Sequence, residues 1–278
     1  KKKNYNVTKF DPKFKNLNLI NKLKVDVIFN ALHGKDGEDG IAQSYFEYLR
    51  IPYTHSGVVS SHNAMNKIIS KQIFIKNNIL TPKYFTIFKS ELKTKILRRY
   101  LRKKKITFPI VVKPIDEGSS LGVKIANNLK ELNRSAKTLF KIYNQLMFEE
   151  YIGGQEIQAA VINKTAIGAI ELIPKRLFYD YKAKYTKSAK TKHLMPARLS
   201  KKNYAKVLQL SKQAHQALGC QGVTRTDFKF FKNKFYILEI NTQPGMTSLS
   251  LVPEIASYRG ISFSNLVEKI LLDASIDK

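Results

Sequence analysis

The sequence of 278 residues contains no tryptophan and one cysteine, Cys220. A single cysteine excludes an internal disulfide framework and any metal site built from several thiolates. No apolar run approaches the roughly 18 residues that a membrane-spanning helix needs. The sequence also shows no basic-then-apolar leader with a small-residue cleavage site. We therefore expect a soluble, cytoplasmic protein without a membrane partner.

Acidic residues are scarce as well, since 21 Asp and Glu face 49 Lys and Arg and the formal net charge is +28. Such an excess can accompany nucleic-acid binding. Here, however, forty of the cations are lysines scattered along the whole chain, in a sequence that is also rich in Asn and Ile. Clusters such as Arg98–Lys105 are typical of solvated helix faces. We expect no nucleic-acid partner, and affinity for anionic substrates such as nucleotides fits the charge equally well.

Hydrophobic residues make up 43% of the chain, enough for a packed core. Val25–Asn30 (Val-Asp-Val-Ile-Phe-Asn) is a mostly apolar run, and we interpret it as a strand buried in a parallel sheet. The Gly-rich loop Ala31–Gly40 and the helical pattern of Ile41–Arg50 follow it. With a short strand at Asn6–Phe10, this order predicts an α/β layer whose ligands lie at the carboxyl ends of the strands.

The rest of the chain divides into two further units after a predicted helix over Ser60–Asn77 and a break at Leu80–Pro82. In the first unit the patterns predict strands at Tyr84–Phe88, Pro109–Lys113, Val123–Ile125 and Leu146–Tyr151, with helices at Glu91–Lys103 and Leu129–Tyr143. In the second they predict antiparallel strands at Glu156–Ile162 and Ala166–Ile173, a mobile loop at Phe178–Lys192, a helix at Ser200–Leu218, a hairpin of Val223–Phe231 with Phe235–Asn241, and a helix at Ser262–Leu272. His193 and His215 have no evident partners, and we expect both at the surface.

The hairpin carries the best local chemical signal. Residues two apart share a face of a strand, so Arg225 lies beside Asp227, and Glu239 beside Asn241. A turn near residue 233 would bring Asp227 opposite Glu239, to within a residue of register. These oxygen donors suit an Mg²⁺ ion that nucleotide phosphates complete. The alternative is an Arg–Asp surface pair with an acid at a strand end, although an unpaired Glu239 in an apolar strand is costly.

Lys113 ends an apolar run and precedes the small-residue loop Gly118–Gly122. A lysine beside such a loop can hold phosphate oxygens, but a structural turn gives the same pattern. His33 lies in a Gly-rich loop and is expected to face a cleft. Glu149 and Glu156 flank a predicted turn. Glu149 and backbone amides of the turn could bind an adenine, and Glu156 could bind a ribose. Alternatively, the segment is a strand end with exposed acids.

Nine segments together resemble the D-alanine–D-alanine ligase family of ATP-grasp enzymes, which act in bacterial cell-wall synthesis. They occur in the family's order between about Val25 and about Leu272. The segments are Phe29-Asn-Ala-Leu-His-Gly, Gly37-Glu-Asp-Gly, Tyr53-Thr-His-Ser-Gly, Ala64-Met-Asn-Lys, Val111-Val-Lys-Pro, Glu117-Gly-Ser-Ser-Leu-Gly, Phe178-Tyr-Asp-Tyr-Lys-Ala-Lys-Tyr, Arg225-Thr-Asp and Leu238-Glu-Ile-Asn-Thr-Gln-Pro-Gly-Met-Thr.

This resemblance implies an α/β (α+β) protein with the ATP-grasp fold. The expected parts are an N-terminal parallel α/β domain over residues 1–80, a central subdomain over 81–152 and a C-terminal subdomain over 153–278. The last two, each with an antiparallel sheet, would clasp ATP. The family also suggests a homodimer.

The same resemblance implies roles for individual residues. The implied ATP contacts are Lys67, Lys113, Glu149, Glu150, Tyr151, Ile152, Glu156 and Lys184. The implied ligands of two Mg²⁺ or Mn²⁺ ions are Asp227, Glu239 and Asn241. The implied catalytic residues are Arg225, Gly245, Ser119, Tyr185 and Ser250, and His33 and Leu251 would line the amino-acid sites.

The implied reaction joins two D-alanines. The carboxylate of the first attacks the γ-phosphate of ATP, and the amine of the second attacks the resulting acyl phosphate. Arg225 and the Gly245 N–H would stabilise the oxyanion, and the Phe178–Lys192 loop would close over the site to exclude water. Tyr185 favours a dipeptide product over a depsipeptide.

Two departures from the family pattern stand out. The sequence starts after the expected first strand and the Gly/Ser-rich loop, whose glutamate would bind the first D-alanine. We expect either a truncated chain or a protein that lacks this substrate anchor and a central sheet strand. Asn66 also stands where the family usually has Asp, which we expect to matter little. The alternatives are a related ligase that uses D-lactate or D-serine as acceptor, an inactive ATP-binding remnant, and a basic nucleic-acid binder.

Overall fold

The computed structural model describes residues 4–173, 191–247 and 250–278. Its helices are α1 (Ile41–Tyr48), α2 (Val58–Met65), α3 (Lys67–Lys76), α4 (Thr94–Lys104), α5 (Leu129–Leu139), α6 (Lys201–Ala217), α7 (Leu251–Tyr258) and α8 (Phe263–Leu272), with 3-10 helices at Leu17–Leu23 and Lys89–Glu91. Its strands are β1 (Tyr84–Phe88), β2 (Ile110–Pro114), β3 (Lys124–Ala126), β4 (Gln145–Glu150), β5 (Gln155–Ile162), β6 (Thr165–Ile173), β7 (Lys192–Leu194), β8 (Val223–Phe231) and β9 (Lys234–Asn241). None of the described helices is both long and apolar enough to cross a bilayer.

The strands form two antiparallel sheets, which confirms the expected fold class. The first has the order β1-β4-β2-β3 and the second the order β7-β6-β5-β8-β9. In the predicted hairpin, Arg225 pairs with Asn241 and Asp227 with Glu239, and a bulge follows Asp227. The predicted register is therefore confirmed. The short strand β7 and helix α7 were not predicted.

The first sheet buries one face under α4 and α5. Leu97 and Leu101 lie one turn apart on α4 and pack with Leu132 of α5 against strand residues such as Phe148. This apolar spacing is why both segments fold as amphipathic helices. Alternation along the strands sends Val111, Lys113 and Glu149 to the opposite face of the sheet.

The second sheet is covered on both faces. Helix α6 packs on one face, where Val207 and Ala214 join a core with Ile157 and Phe228. Helices α7 and α8 pack on the other face, where Val252 and Leu266 belong to a separate core. Burial on both faces explains why its central strands carry long apolar runs.

The N-terminal region departs from the predicted parallel layer. Asn6–Phe10 and Val25–Asn30 form no strand, and the pairing there is one parallel bridge, Ile28 with Tyr53. An extended segment without neighbours to continue a ladder cannot form a sheet. Tyr53 instead also bridges Ser275, so the C-terminal tail returns to this region. The predicted boundary near residue 80 stays a prediction, although Phe74 of α3 packs in the core of the second sheet.

The helix predicted over Ser60–Asn77 is in fact two helices that meet at Asn66. Asn66 has extended backbone angles, and its side-chain oxygen accepts from the N–H groups of Ile68 and Ile69. It is therefore the N-cap of α3, a position at which Asn and Asp serve about equally well. This explains why Asn can replace the Asp that the family pattern leads one to expect.

Asn66→Ala removes this cap, and we expect it to lower the free energy of unfolding by about 1 kcal/mol. Asn66→Asp, the matched control, keeps an acceptor oxygen and should change it by less than about 0.5 kcal/mol. Urea unfolding of the three proteins measures both values. Equal stability of the alanine variant and the parent chain would contradict the capping role.

His193 is partly exposed but has a partner, which the sequence did not suggest, and the prediction that His215 lies at the surface is wrong. The His193 ring nitrogen lies 2.7 Å from a carboxylate oxygen of Glu254, which links β7 to α7. His215 is fully buried between α6 and β8, where its Nδ1 lies 2.9 Å from the Thr224 hydroxyl. Burial lowers the pKa of His215 to about 4, and burial likewise lowers the pKa of His55 to about 3.

A histidine whose pKa is lowered in the folded state must take up a proton at lower pH there than in the unfolded chain. The free energy of unfolding is therefore highest above the unfolded pKa, near 6.5, and decreases as the pH falls below it. His215 alone should cost the folded chain about 2 kcal/mol on going from pH 7 to pH 5. We expect His215→Gln to flatten the pH dependence of the unfolding free energy by that amount. The exposed His62 provides the control, and His62→Gln should leave the curve of the parent chain unchanged.

Candidate active site

A cleft that is partly open to solvent lies between the two sheets. Its floor comes from strand ends and from the loops that join them, so residues distant in sequence meet there. The lining residues are Lys67, Val111, Lys113, Pro114, Glu117, Ser120, Leu121, Val123, Glu149, Glu150, Tyr151, Ile152, Glu156, Asp227, Lys229, Leu238 and Glu239. Nine of the predicted site residues are among them.

A buried carboxylate organises the cationic end of the cleft. Glu149 on β4 is 2% exposed. One of its oxygens lies 2.8 Å from Nζ of Lys113 on β2, and the other lies 2.6 Å from Nζ of Lys71 on α3. Lys71 is fully buried and also donates to the hydroxyl of Thr81. Glu149 therefore fixes two ammonium groups from two different elements.

The ion pairs and the burial act in opposite directions on the pKa values in this cluster. Burial alone would raise the pKa of Glu149, but Lys113 and Lys71 bring it below its usual value. Burial lowers the pKa of Lys71 to about 8, against the opposing effect of Glu149. Charges this deep are stable only when each one keeps its partner.

Lys67 brings a third ammonium group to the same end. It is 5% exposed, donates to the backbone oxygen of Glu117, and lies 3.9 Å from an oxygen of Glu239. Burial lowers the pKa of Lys67, and the charge of Glu239 raises it in part. Lys67 thus stands between the small-residue loop of the first sheet and the carboxylates of the second.

The opposite wall of the cleft carries the carboxylates of the hairpin. Asp227 is 5% exposed, and Arg225 donates to both of its oxygens at 2.8 and 3.1 Å. Gln158 on β5 donates to the same carboxylate at 3.2 Å. Glu239 faces Asp227 across the strand pair, so the two acids converge as the spacing predicted.

The third predicted metal ligand is an amide. The side-chain oxygen of Asn241 accepts from the N–H of Gln243 at 2.8 Å, which holds it at the end of β9. Within the described ranges no three His, Cys, Asp or Glu side chains form a group that could hold a metal. A metal here would need the two carboxylates, the amide and oxygens from a bound nucleotide.

The turn between the two sheets supplies the hinge side of the cleft. Glu150, Tyr151 and Ile152 lie at its surface and continue from β4. Glu156, at the start of β5, is paired with Lys229 of β8 at 3.0 Å. This wall offers backbone groups, an apolar side chain and one charged pair.

The predicted amino-acid-binding residues lie around the small-residue loop and the start of α7. Ser119 adopts a left-handed conformation within the loop. His33 is 3.8 Å from Glu38, and a Cβ on Gly118 would come within 3.2 Å of a Glu38 oxygen, so the two loops touch. The structure thus brings the N-terminal loop to the edge of the cleft.

On the other side, a Cβ on Gly245 would lie 2.9 Å from the Ser250 hydroxyl. That hydroxyl accepts from the N–H of Thr247 at 3.0 Å. The next residue, Leu251, begins α7 and is 8% exposed in the core beneath it. Lys184 and Tyr185 lie outside the described residues.

Sequence reasoning missed Lys71 and Lys229. Lys71 lies four residues after Lys67, on the same side of α3, and two like charges at that spacing repel unless an acid joins them. Lys229 lies two residues after Asp227 on the same strand. Both spacings were visible in the sequence, but only the packing showed which acids face them.

Comparison with known proteins identifies the family. Residues 73–272 match the family model described as the D-ala D-ala ligase C-terminus, and residues 2–56 match that of the D-ala D-ala ligase N-terminus. The chain belongs to the D-alanine–D-alanine ligase family.

Individual members of the family give the same result. The D-alanine–D-alanine ligase of Pelagibacter ubique is 58% identical over 259 residues, which are 93% of this chain and 84% of that protein. The ligase of Geotalea uraniireducens is 44% identical over 91% of this chain and 79% of its own length.

Solved structures of the family superpose closely. The D-alanine–D-alanine ligase of Bacillus anthracis complexed with ATP has a TM-score of 0.80 and 34% identity, over 94% of this chain and 83% of that one. The VanG D-Ala:D-Ser ligase of Enterococcus faecalis has a TM-score of 0.80 and 30% identity, over 89% of this chain and 72% of that one.

Lys71→Met leaves Glu149 with one cation, and we expect it to lower the free energy of unfolding by about 3–5 kcal/mol. The double variant with Glu149→Gln should lose clearly less than the sum of the two single losses, because Glu149→Gln then leaves only Lys113, and not both lysines, without a carboxylate partner. Lys76→Met on the exposed side of α3 is the matched control. Additive losses in a double-mutant cycle would contradict the pairing.

Proposed function

We propose that this chain joins two D-alanines into D-alanyl-D-alanine and converts ATP into ADP and phosphate. The product would serve as a precursor of peptidoglycan. The observation that carries this proposal is the cleft itself, in which Lys67 and Lys113 face two converging carboxylates, in a member of a family whose named relatives are D-alanine–D-alanine ligases.

In the first step a carboxylate oxygen of one D-alanine attacks the γ-phosphorus of ATP. An oxygen–phosphorus bond forms, the bond to the β-phosphate oxygen breaks, and ADP leaves with that electron pair. Lys67 and Lys113 would face the negative charge that spreads over the transferring group, since phosphoryl transfer depends mainly on positioning and charge stabilisation. Lys184 is proposed as a further phosphate contact.

In the second step the free amine of the other D-alanine attacks the acyl carbon. The carbon–nitrogen bond forms, phosphate leaves with the electrons of the carbon–oxygen bond, and the amine loses a proton. Arg225 and the Gly245 N–H are proposed to stabilise the oxyanion. Ser119, Tyr185, Ser250, His33 and Leu251 are proposed to position the two amino acids.

The hairpin donors fit divalent ions. Asp227 and Glu239 present hard oxygens in register from two rigid strands. We propose that Asp227, Glu239 and Asn241 hold two Mg²⁺ or Mn²⁺ ions. Bound there, such ions supply charge neutralisation at the phosphates.

The nucleoside end would lie against the hinge. We propose that backbone groups of Glu150–Ile152 meet the adenine and that Glu156 meets the ribose. Glu149, whose oxygens both face lysines, would act here by holding Lys113 in place. Because the reaction consumes ATP, we place it in the cytoplasm. The homodimer suggested by the family resemblance remains a proposal.

The test measures ADP release and dipeptide formation with Mg²⁺, ATP and D-alanine. We expect both products in equal amounts. Arg225→Lys should bind ATP normally but lower kcat by about 100- to 1,000-fold. Asp227→Asn should instead raise the Mg²⁺ concentration that half-maximal rate requires. ATP binding without dipeptide in the parent chain would leave a nucleotide-binding relative and reject the ligase proposal.

A competition experiment tests the identity of the second substrate, because one structural neighbour is a D-Ala:D-Ser ligase. D-serine and D-lactate are offered together with D-alanine, and the products are separated by mass. We expect D-alanyl-D-alanine to dominate. An excess of the product with D-serine or D-lactate over D-alanyl-D-alanine would instead identify the chain as a related ligase with another acceptor.

A further inference from the structure

The helical side of the first sheet carries a disproportionate share of the positive charge. Residues 89–106 and 127–142, which contain α4 and α5, hold thirteen Lys and Arg but only Glu91 and Glu131 as acids. These 34 residues thus supply +11 of the net charge of +28. General lysine enrichment would spread charge evenly, so this concentration needs its own explanation. We call this surface the basic layer.

The arginines concentrate there too. The chain has nine Arg against forty Lys, yet Arg98, Arg99, Arg102 and Arg134 all belong to the basic layer. Lysine-rich composition does not account for them. The planar guanidinium group binds phosphate through two parallel hydrogen bonds, whereas the ammonium group acts as a point charge.

The charges are exposed, and few acids lie near them. All thirteen cationic side chains are exposed. Among the described residues none of them forms a salt bridge with an acid. On α4, Arg98 lies one turn before Arg102, and Arg99 one turn before Lys103, so like charges repel along the helix. An anionic partner would relieve this repulsion.

The layer faces away from the cleft. Leu97 and Leu101 of α4 and Leu132 of α5 are buried against one face of the first sheet, while Lys113 and Glu149 line the cleft. A partner on the layer would therefore leave the nucleotide cleft open.

The shape of the layer indicates the partner. Helices α4 and α5 lie side by side, with the Thr94 hydroxyl 3.2 Å from the Asn133 side chain, and the charge covers both helices. The positive charge therefore covers a broad area and not a narrow strip. Such an area matches the phosphates of a lipid surface better than the two phosphate backbones of a nucleic-acid duplex. Ile142, 77% exposed beside Lys141, is placed to enter the boundary of a headgroup layer.

We propose that the basic layer docks the protein on an anionic phospholipid surface as a peripheral, salt-sensitive contact. Basic amphipathic helices with four to eight cations recognise such surfaces. The contact would be electrostatic, because the apolar side of α4 is already used in the core of the first sheet.

The test is co-sedimentation of the full chain, with Mg²⁺ and ATP present, with phosphatidylcholine vesicles that contain about one third phosphatidylglycerol or none. We expect binding to the anionic vesicles at about 0.1 M salt and its loss near 1 M, where charge interactions are screened within about 3 Å. No binding to anionic vesicles would overturn the proposal.

Two matched variants locate the contact. One replaces Arg98, Arg99, Arg102 and Lys103 by Gln, and the other replaces the exposed α6 residues Lys201, Lys202, Lys206 and Lys212 by Gln. Each cation near an anionic membrane surface strengthens binding roughly fivefold. The first variant should therefore weaken partitioning onto the anionic vesicles by more than about a hundredfold. The second removes the same net charge and should weaken it by less than about threefold.

Equal losses in the two variants would show that net charge alone attracts the protein, and would overturn the layer as a docking site. Preference for duplex RNA or DNA over the vesicles at the same salt concentration would overturn the choice of partner. The rate of ADP release in solution should be the same in both variants, because neither set of residues lines the cleft.

Discussion

The buried carboxylate of Glu149 is the contact on which the cleft depends. It joins β4 to β2 through Lys113 and to α3 through Lys71. Lys71 in turn reaches Thr81, whose hydroxyl donates to the backbone oxygen of Ile237 on β9. A single polar chain thus connects the two sheets across the floor of the cleft. Because each buried charge needs its partner, the relative position of the two walls follows from this network.

The cleft is electrostatically divided as a consequence. Lys113, anchored by Glu149, forms one end, and the carboxylates of the β8–β9 hairpin form the other, with Lys67 bridging toward Glu239. A substrate that carries phosphates and a divalent ion matches both ends at once. The strong positive charge of the chain has a different location, on helices whose exposed sides face away from this cleft, so catalysis and surface charge are separate properties.

Sequence patterns predicted the secondary structure correctly where the spacing of apolar residues along a segment determines which face it buries. Apart from β7 and α7, the strands and helices of both antiparallel sheets follow from alternation and helical spacing, and so does the pairing of Asp227 with Glu239. Predictions failed where a packing neighbour or a single side chain determines the local structure. Asn66 ends one helix and caps the next, Val25–Asn30 has one bridge in place of a ladder, and His215 is buried because α6 lies on β8.

The sequence by itself determined the family, the order of elements and most of the charged residues around the cleft, because motifs and periodicities are local properties of the chain. Only the tertiary structure decided which charges meet. Lys71 and Glu149 are 78 positions apart in the sequence. They become partners because α3, which packs with Phe74 in the core of the second sheet, starts with Lys67 hydrogen-bonded to Ile115 just after β2. Burial then fixes the pairing, since a charge removed from water is stable only beside the opposite charge that the fold delivers.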